Sequence, residues 1–118
     1  MKLINLDNGQ VLASQIKEAN TFSQRLKGLM FTKNLPGDWG LRIQPCRGIH
    51  TFFMQYNIDV LHLDSNQRVV LIEENISPGK VGKTTPATVE IVELNAGKIR
   101  ETETKMGHSL YFVDEHTT

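Results

Sequence analysis

Short apolar runs rich in β-branched residues recur through the second half of the chain, and they constrain its fold more than any other feature. Their spacing is typical of a meandering antiparallel sheet, with expected strands at residues 41–44, 49–54, 58–64, 69–76, 88–94 and 109–113. Near the start, the Asp7-Asn8-Gly9 turn predicts a hairpin of residues 2–6 with 10–18, because Asn and Gly tolerate the positive φ of a tight turn. A sheet of this many short strands is expected to curl into a small barrel.

Two short helices complete the predicted α+β fold. The first begins at Thr21, which forms a capping box with Gln24. It carries an apolar stripe that includes Phe22 and Leu26, with Arg25 at the edge of the stripe. The second helix is predicted over residues 96–105, with Asn95 as its N-cap residue.

Size and charge narrow the class of protein. The 118 residues are enough for one domain, taken as residues 1–118, and too few for a second. The 13 basic side chains balance the 13 acidic ones without a cluster of one sign, so neither a nucleic-acid nor an anionic-membrane partner is expected. The beginning of the chain shows no signal-peptide core, and a single cysteine, Cys46, agrees with a reducing compartment, so a cytoplasmic location is expected.

Polar residues threaded through the apolar runs are the candidate site. In an extended strand Asp59 shares a face with Leu61 and Leu63, and Glu93 shares one with Ile91, so both acids are predicted to point inward. Arg25 is the natural counter-ion for such acids. The simpler interpretation is a structural ion pair, or hydrogen bonds from strand-end carboxylates to backbone amides, and it is favoured because such networks outnumber functional sites.

Cys46 and His50 are four residues apart, a spacing that could pair a thiolate with an imidazole. No local signature of a cysteine enzyme surrounds them, and a histidine on a strand face is more often a hydrogen-bonded core residue. A zinc site that adds His62 lacks paired ligand spacing, so neither a metal nor a cofactor is predicted.

Residues 77–87 form a long loop, a candidate lid or contact surface.

The motif residues together resemble a known family, domain of unknown function 192, over residues of about 10–112. The resemblance is carried by Arg25, Gly28, Leu29, Met30, Cys46, Ile49, His50, Thr51, Phe52, Met54, Ile58, Asp59, Val60, Leu63, Asp64, Pro78, Gly79, Glu93, Ala96 and Gly97. The chain looks like a short, cytoplasmic-type member. This resemblance implies a shared fold and a shared set of residues but carries no mechanism. The chain departs from the pattern where Gln55 and Lys80 replace arginines, which weakens the case for bidentate anion binding.

Three hypotheses for function follow. The leading one is a small binding domain whose polar pocket holds a small polar ligand or a peptide segment; the predicted pocket residues are Arg25, His50, Thr51, Asp59 and Glu93. The second is a hydrolase- or transferase-like enzyme that uses Cys46 with His50, or Asp59 with Glu93. The third is a protein-interaction scaffold that uses the 77–87 loop and the only tryptophan, Trp39.

Overall fold

The computed structural model describes residues 1–30 and 32–114. In chain order the elements are β1 Lys2–Asn5, β2 Val11–Ala13, β3 Gln15–Ala19, α1 Phe22–Lys27, β4 Trp39–Ile43, β5 Ile58–Leu63, β6 Val69–Ile76, β7 Glu90–Asn95, α2 Lys98–Glu101 and β8 Leu110–Val113. The α+β class and most of the predicted strands are confirmed. The first hairpin is confirmed for residues 2–5 with 11–13, but the predicted second strand, residues 10–18, is interrupted at Ser14, and Gln15–Ala19 forms β3, which pairs with β4 in the larger sheet. None of the helices in the described ranges has the length and apolar character needed to cross a bilayer.

The strands form two separate sheets. One has three strands in the order β2-β1-β8, and the other has five in the order β3-β4-β7-β5-β6. Pairing is antiparallel except between β3 and β4. The predicted barrel is wrong for the described residues, because β3 and β6 are the two edges of the larger sheet and do not pair with each other. The chain passes from the smaller sheet to the larger one between β2 and β3 and returns between β7 and β8.

The five-stranded sheet is covered on both faces. On one face Leu61 and Val92 pack with residues of the three-stranded sheet, including Leu3 and Leu110. On the other face a second core forms around Val60 and is covered by irregular chain rather than by a sheet. Every residue of β5 is therefore buried. Because alternate residues lie on opposite faces, each core receives every second side chain of the central strands.

Helix α1 begins as predicted but packs differently. The Thr21 hydroxyl accepts a hydrogen bond from the Gln24 amide at 3.2 Å, and the Gln24 side chain accepts from the Thr21 amide at 3.2 Å, which confirms the capping box. The predicted buried stripe is wrong, because Phe22 and Leu26 are 76% and 60% exposed. Only Leu29, just beyond the helix, enters the core.

Two other predicted elements are absent or shorter. Residues 49–54 are not a strand: Phe53 adopts φ 63°, and only an isolated bridge joins His50 to Val81. Helix α2 spans four residues rather than ten, and its N-cap residue is Gly97 instead of Asn95. The Asp59 carboxylate takes over the capping, since it accepts hydrogen bonds from the amides of Gly97 and Ile99 at 3.0 Å each.

Candidate functional site

A cavity of about 160 Å³ opens on the irregular face of the five-stranded sheet. One wall is the end of α1 with the turn that follows it, and the opposite wall is the chain from residue 48 to residue 54. Its lining residues are Arg25, Leu26, Lys27, Gly28, Leu29, Met30, Ile43, Gly48, Ile49, His50, Met54 and Glu93. The cavity therefore combines apolar walls with four titratable side chains.

Glu93 supplies the acid of this cavity. It lies in the central strand β7, opposite Leu41 of β4 and Val60 of β5, and it is only 3% exposed. Its carboxyl group accepts no hydrogen bond from any of the described residues, although it lines the cavity. Burial raises the pKa of Glu93 from 4.5 to about 8. At neutral pH the side chain is therefore mostly a neutral acid that can donate an O–H hydrogen bond.

Gly28 allows the wall to approach this carboxyl group. Its φ is 51°, a conformation that L-residues with a side chain rarely adopt. A Cβ atom at this position would lie 3.0 Å from Oε1 of Glu93. Glycine is thus required twice, by the backbone conformation and by the space that the acid occupies.

Three basic residues line the same cavity as the acid. Arg25 is half-buried, and its Nη1 donates to the Asn20 carbonyl at 3.0 Å. Lys27 follows on the same helix and also lines the cavity. The His50 ring stacks on Phe52 with centroids 5.0 Å apart, and its Nδ1 accepts a hydrogen bond from the Phe52 amide at 3.2 Å. In the neutral tautomer this leaves the proton of His50 on Nε2.

Known proteins resemble this chain in sequence and fold. The family model for domain of unknown function 192, described as Uncharacterized ACR, matches residues 3–112. The chain belongs to the domain of unknown function 192 family. The UPF0127 protein TK1120 of Thermococcus kodakarensis is 33% identical over 113 residues, which cover 89% of this chain and 69% of that relative.

A second relative matches part of the chain, and a crystal structure has the same fold. The UPF0127 protein of Thermococcus sibiricus is 41% identical over 76 residues, or 58% of this chain, and the match spans about half (47%) of its length. A protein of unknown function from Novosphingobium aromaticivorans has a similar fold, with a TM-score of 0.80 at 20% identity over 94% of this chain and 82% of that one. Most of the cavity-lining residues are among those through which the sequence resembles the domain of unknown function 192 family.

Asp59 lies away from the Glu93 cavity. In the register of β5 and β7, Asp59 pairs with Leu94 and Val60 pairs with Glu93, so the two acids point to opposite faces of the sheet. One Asp59 oxygen accepts from the Asn75 amide at 2.8 Å, and the other caps α2. The prediction that both acids point inward is confirmed, but their placement in one pocket is wrong. Arg25 is not the counter-ion of Asp59, whose hydrogen bonds come from backbone amides.

Thr51 is also a structural residue. It is fully buried, its hydroxyl donates to the Ser77 carbonyl at 2.7 Å, and it accepts from the Lys80 amide at 2.8 Å. These bonds tie the 77–87 loop to the wall of the cavity, so the loop is anchored at its beginning. Of the five predicted pocket residues, the cavity brings together Arg25, His50 and Glu93 only.

Cys46 lies beside the cavity as a protonated thiol rather than as half of a catalytic pair. Its Sγ donates to the Gly48 carbonyl at 3.2 Å, and no bond joins it to His50 among the described residues. Burial raises the pKa of the thiol and is the largest cause; a backbone hydrogen bond with Gly48 and the charge of Arg25 lower the pKa, and the charge of Glu93 raises it. The net shift is upward, which opposes the thiolate needed for nucleophilic attack.

A buried histidine network was missed by sequence reasoning. His62 is 0% exposed; its Nε2 lies 2.8 Å from Oε1 of Glu73 and its Nδ1 lies 3.1 Å from the hydroxyl of Thr88. The other Glu73 oxygen accepts from the Lys83 amide at 3.0 Å. This network fastens the end of the 77–87 loop to the sheet. Its three side chains lie apart in sequence, and no local pattern signals their meeting.

Proposed function

We propose that this chain is a binding domain whose cavity at Glu93 takes a small polar group from a ligand or a peptide segment. The observation that carries the proposal is a buried carboxyl group that faces a cavity without a hydrogen-bond partner among the described residues. None of the sealed side-chain oxygen and nitrogen atoms of the described residues lacks a hydrogen-bond partner, so the carboxyl group of Glu93 reaches the cavity. A ligand in the cavity would supply the hydrogen-bond partner that the protein itself does not provide.

Binding is favoured over catalysis by the positions of the two acids and of the thiol. Asp59 and Glu93 lie on opposite faces of one sheet, so they cannot act as an acid and base on one substrate. The Cys46 thiol donates a hydrogen bond to a backbone carbonyl, and its pKa is raised. Trp39 begins β4, whereas the 77–87 loop leads to the start of β7. Because the two strands are antiparallel neighbours, their starts lie at opposite ends of the pair. A scaffold surface shared by Trp39 and the loop is therefore the weaker alternative.

The test uses three probes of nearly equal shape: propionate, propionamide and propylamine. Each is titrated to tens of millimolar while backbone amide signals are followed by two-dimensional NMR. We expect at least one probe to shift the amides of Gly28, Gly48 and Ile49, which line the cavity, and to leave those of Gly97 and Ile99 on the opposite face in place. If all three probes leave the lining amides unmoved, the cavity is not a binding site.

Two variants separate a binding role from a structural one. His50→Ala should weaken the binding of the best probe and leave the thermal midpoint nearly unchanged, because His50 is half-buried and its one hydrogen bond is to a neighbouring amide. Asp59→Asn should lower the thermal midpoint and leave binding unchanged, because Asp59 lies on the other face of the sheet. The reverse pattern would place the site at Asp59.

A further inference from the structure

We infer that the group taken by the Glu93 cavity is a carboxylate. The inference rests on the proposed function and names its ligand class. Two cations, Arg25 and Lys27, line the cavity from the end of α1, and Glu93 is the one acid among the lining side chains of the described chain. An anion in the cavity therefore has two cationic residues in its lining and a hydrogen-bond donor at the acid.

The charges around Glu93 support an anion from every element that packs there. Helix α1 contributes Arg25 and Lys27, and the irregular segment contributes His50 and the thiol of Cys46. The Tyr56 hydroxyl lies 2.8 Å from that of Thr32 on the same side of the sheet, and burial raises its pKa. With the thiol, the phenol and the carboxyl group all protonated at neutral pH, none of these three groups places a negative charge beside Arg25 and Lys27.

Glu93 matches a carboxylate because a carboxylic acid and a carboxylate can share one proton. Two such groups within hydrogen-bonding distance carry one negative charge between them, and the shared proton is held more tightly than in either group alone. Arg25 and Lys27 would offset that single charge. A cationic ligand would instead require Glu93 to lose its proton and would be repelled by both cations.

The apolar walls set the size of the rest of the ligand. Leu29, Met30 and Met54 line the cavity next to the polar groups and would contact a short alkyl segment. A volume of about 160 Å³ is roughly that of five waters at about 30 Å³ each. A short carboxylic acid or one acidic side chain fits this space.

The carboxylate could come from a free organic acid or from a peptide. Leu26 lines the cavity and is 60% exposed, and Phe52, stacked on His50, is 42% exposed. Val81, paired with His50, is 75% exposed. Apolar residues that flank an acid in a peptide could cover these side chains, so N-acetyl-leucyl-glutamyl-leucine amide is compared with propionate. Tighter binding of the peptide identifies a protein segment as the source of the carboxylate, and equal or weaker binding identifies a free acid. In both cases the group that binds in the cavity is a carboxylate.

The decisive experiment measures the dissociation constants of propionate, propionamide and propylamine by NMR titration from about pH 6 to about pH 9. Propionate should bind more tightly than the other two probes. Its affinity should be constant near pH 6–7 and fall up to about tenfold per pH unit above pH 8, where Glu93 loses its proton. In Glu93→Gln the amide still donates a hydrogen bond, so propionate should bind without this pH dependence.

Matched arginine variants provide the control. Arg25→Gln should weaken propionate binding about fivefold, and Arg100→Gln, which removes an exposed cation on the opposite face, should leave it unchanged. Tighter binding of propylamine or propionamide would overturn the carboxylate while leaving the proposed function intact. A pH dependence that persists in Glu93→Gln, or equal effects of the two arginine variants, would also overturn it. If none of the three probes binds, the proposed function itself fails.

Discussion

Glu93 should make the stability of this protein fall as the pH rises, which is the reverse of the effect of a carboxylate that is ion-paired or hydrogen-bonded in the folded chain. The perturbation that isolates this effect is Glu93→Gln, which preserves the shape of the side chain and removes its titration. In the wild type the pKa is about 8 in the folded chain and 4.5 in the absence of burial. Between these values the folded chain binds more protons than the unfolded chain, so each step in pH across this window favours unfolding.

The magnitude follows from the size of the shift. A rise from 4.5 to about 8 corresponds to about 5 kcal/mol, at about 1.4 kcal/mol per pKa unit. Below about pH 4.5, Glu93 is protonated in both the folded and the unfolded chain, so its titration costs no stability. Above about pH 8 the full loss of about 5 kcal/mol in the free energy of unfolding has occurred. Because a domain of this size has a free energy of unfolding of about 5–15 kcal/mol, the effect is large enough to decide whether the chain is folded at alkaline pH.

Urea denaturation at several pH values from about 5 to about 9 measures this effect. The difference in unfolding free energy between the wild type and Glu93→Gln should decrease by about 1.4 kcal/mol per pH unit up to pH 8 and then level off. Taking the difference cancels the titration of the other groups. Glu74→Gln, which removes an exposed carboxylate, should show no such trend. A flat difference for Glu93→Gln would mean that Glu93 is ionised in the folded chain and would refute the reasoning from burial.

Three further predictions concern single side chains. Asp59→Asn should lower the free energy of unfolding by about 3 kcal/mol, measured in urea. In this variant an NH2 group replaces a carboxylate oxygen that accepts a backbone N–H hydrogen bond in the wild type, so that N–H loses its acceptor. Gly28→Ala should cost about 2 kcal/mol, and less in a Glu93→Ala background, where the 3.0 Å contact is absent; a double-mutant cycle checks this. Cys46 should react with iodoacetamide on the order of tenfold more slowly in the folded than in the urea-unfolded chain, and an equal rate would restore the thiol as a candidate nucleophile.

Local signals predicted local structure well. The capping box at Thr21, the turn at Asp7-Asn8-Gly9 and the strand at residues 69–76 depend on neighbours in sequence, and the structure confirms all three. Helix α2 could not be delimited in this way. Its cap is the carboxylate of Asp59, which is distant in sequence, so the local preference of Asn95 was overruled by a tertiary hydrogen bond.

The prediction of the site was right about the burial of both acids and wrong about their placement in one pocket. Period-two alternation correctly indicated that Asp59 and Glu93 are buried, but alternation within a single strand does not give the register between two strands. The register sends Asp59 to the core shared with the three-stranded sheet and Glu93 to the core under α1. A residue slip in this pairing would have placed both acids on one face.

The sequence by itself determined the α+β class, the family and the burial of both acids, because each depends on composition, spacing or the alternation of neighbouring residues. Only the tertiary structure decided that the strands divide into two sheets, that Asp59 caps a helix, and that Glu93 faces a cavity without a partner among the described residues. The physical reason is that these outcomes depend on contacts between distant segments. Backbone amides from α2 satisfy one carboxylate, whereas Gly28 and the walls around it bury the other and raise its pKa.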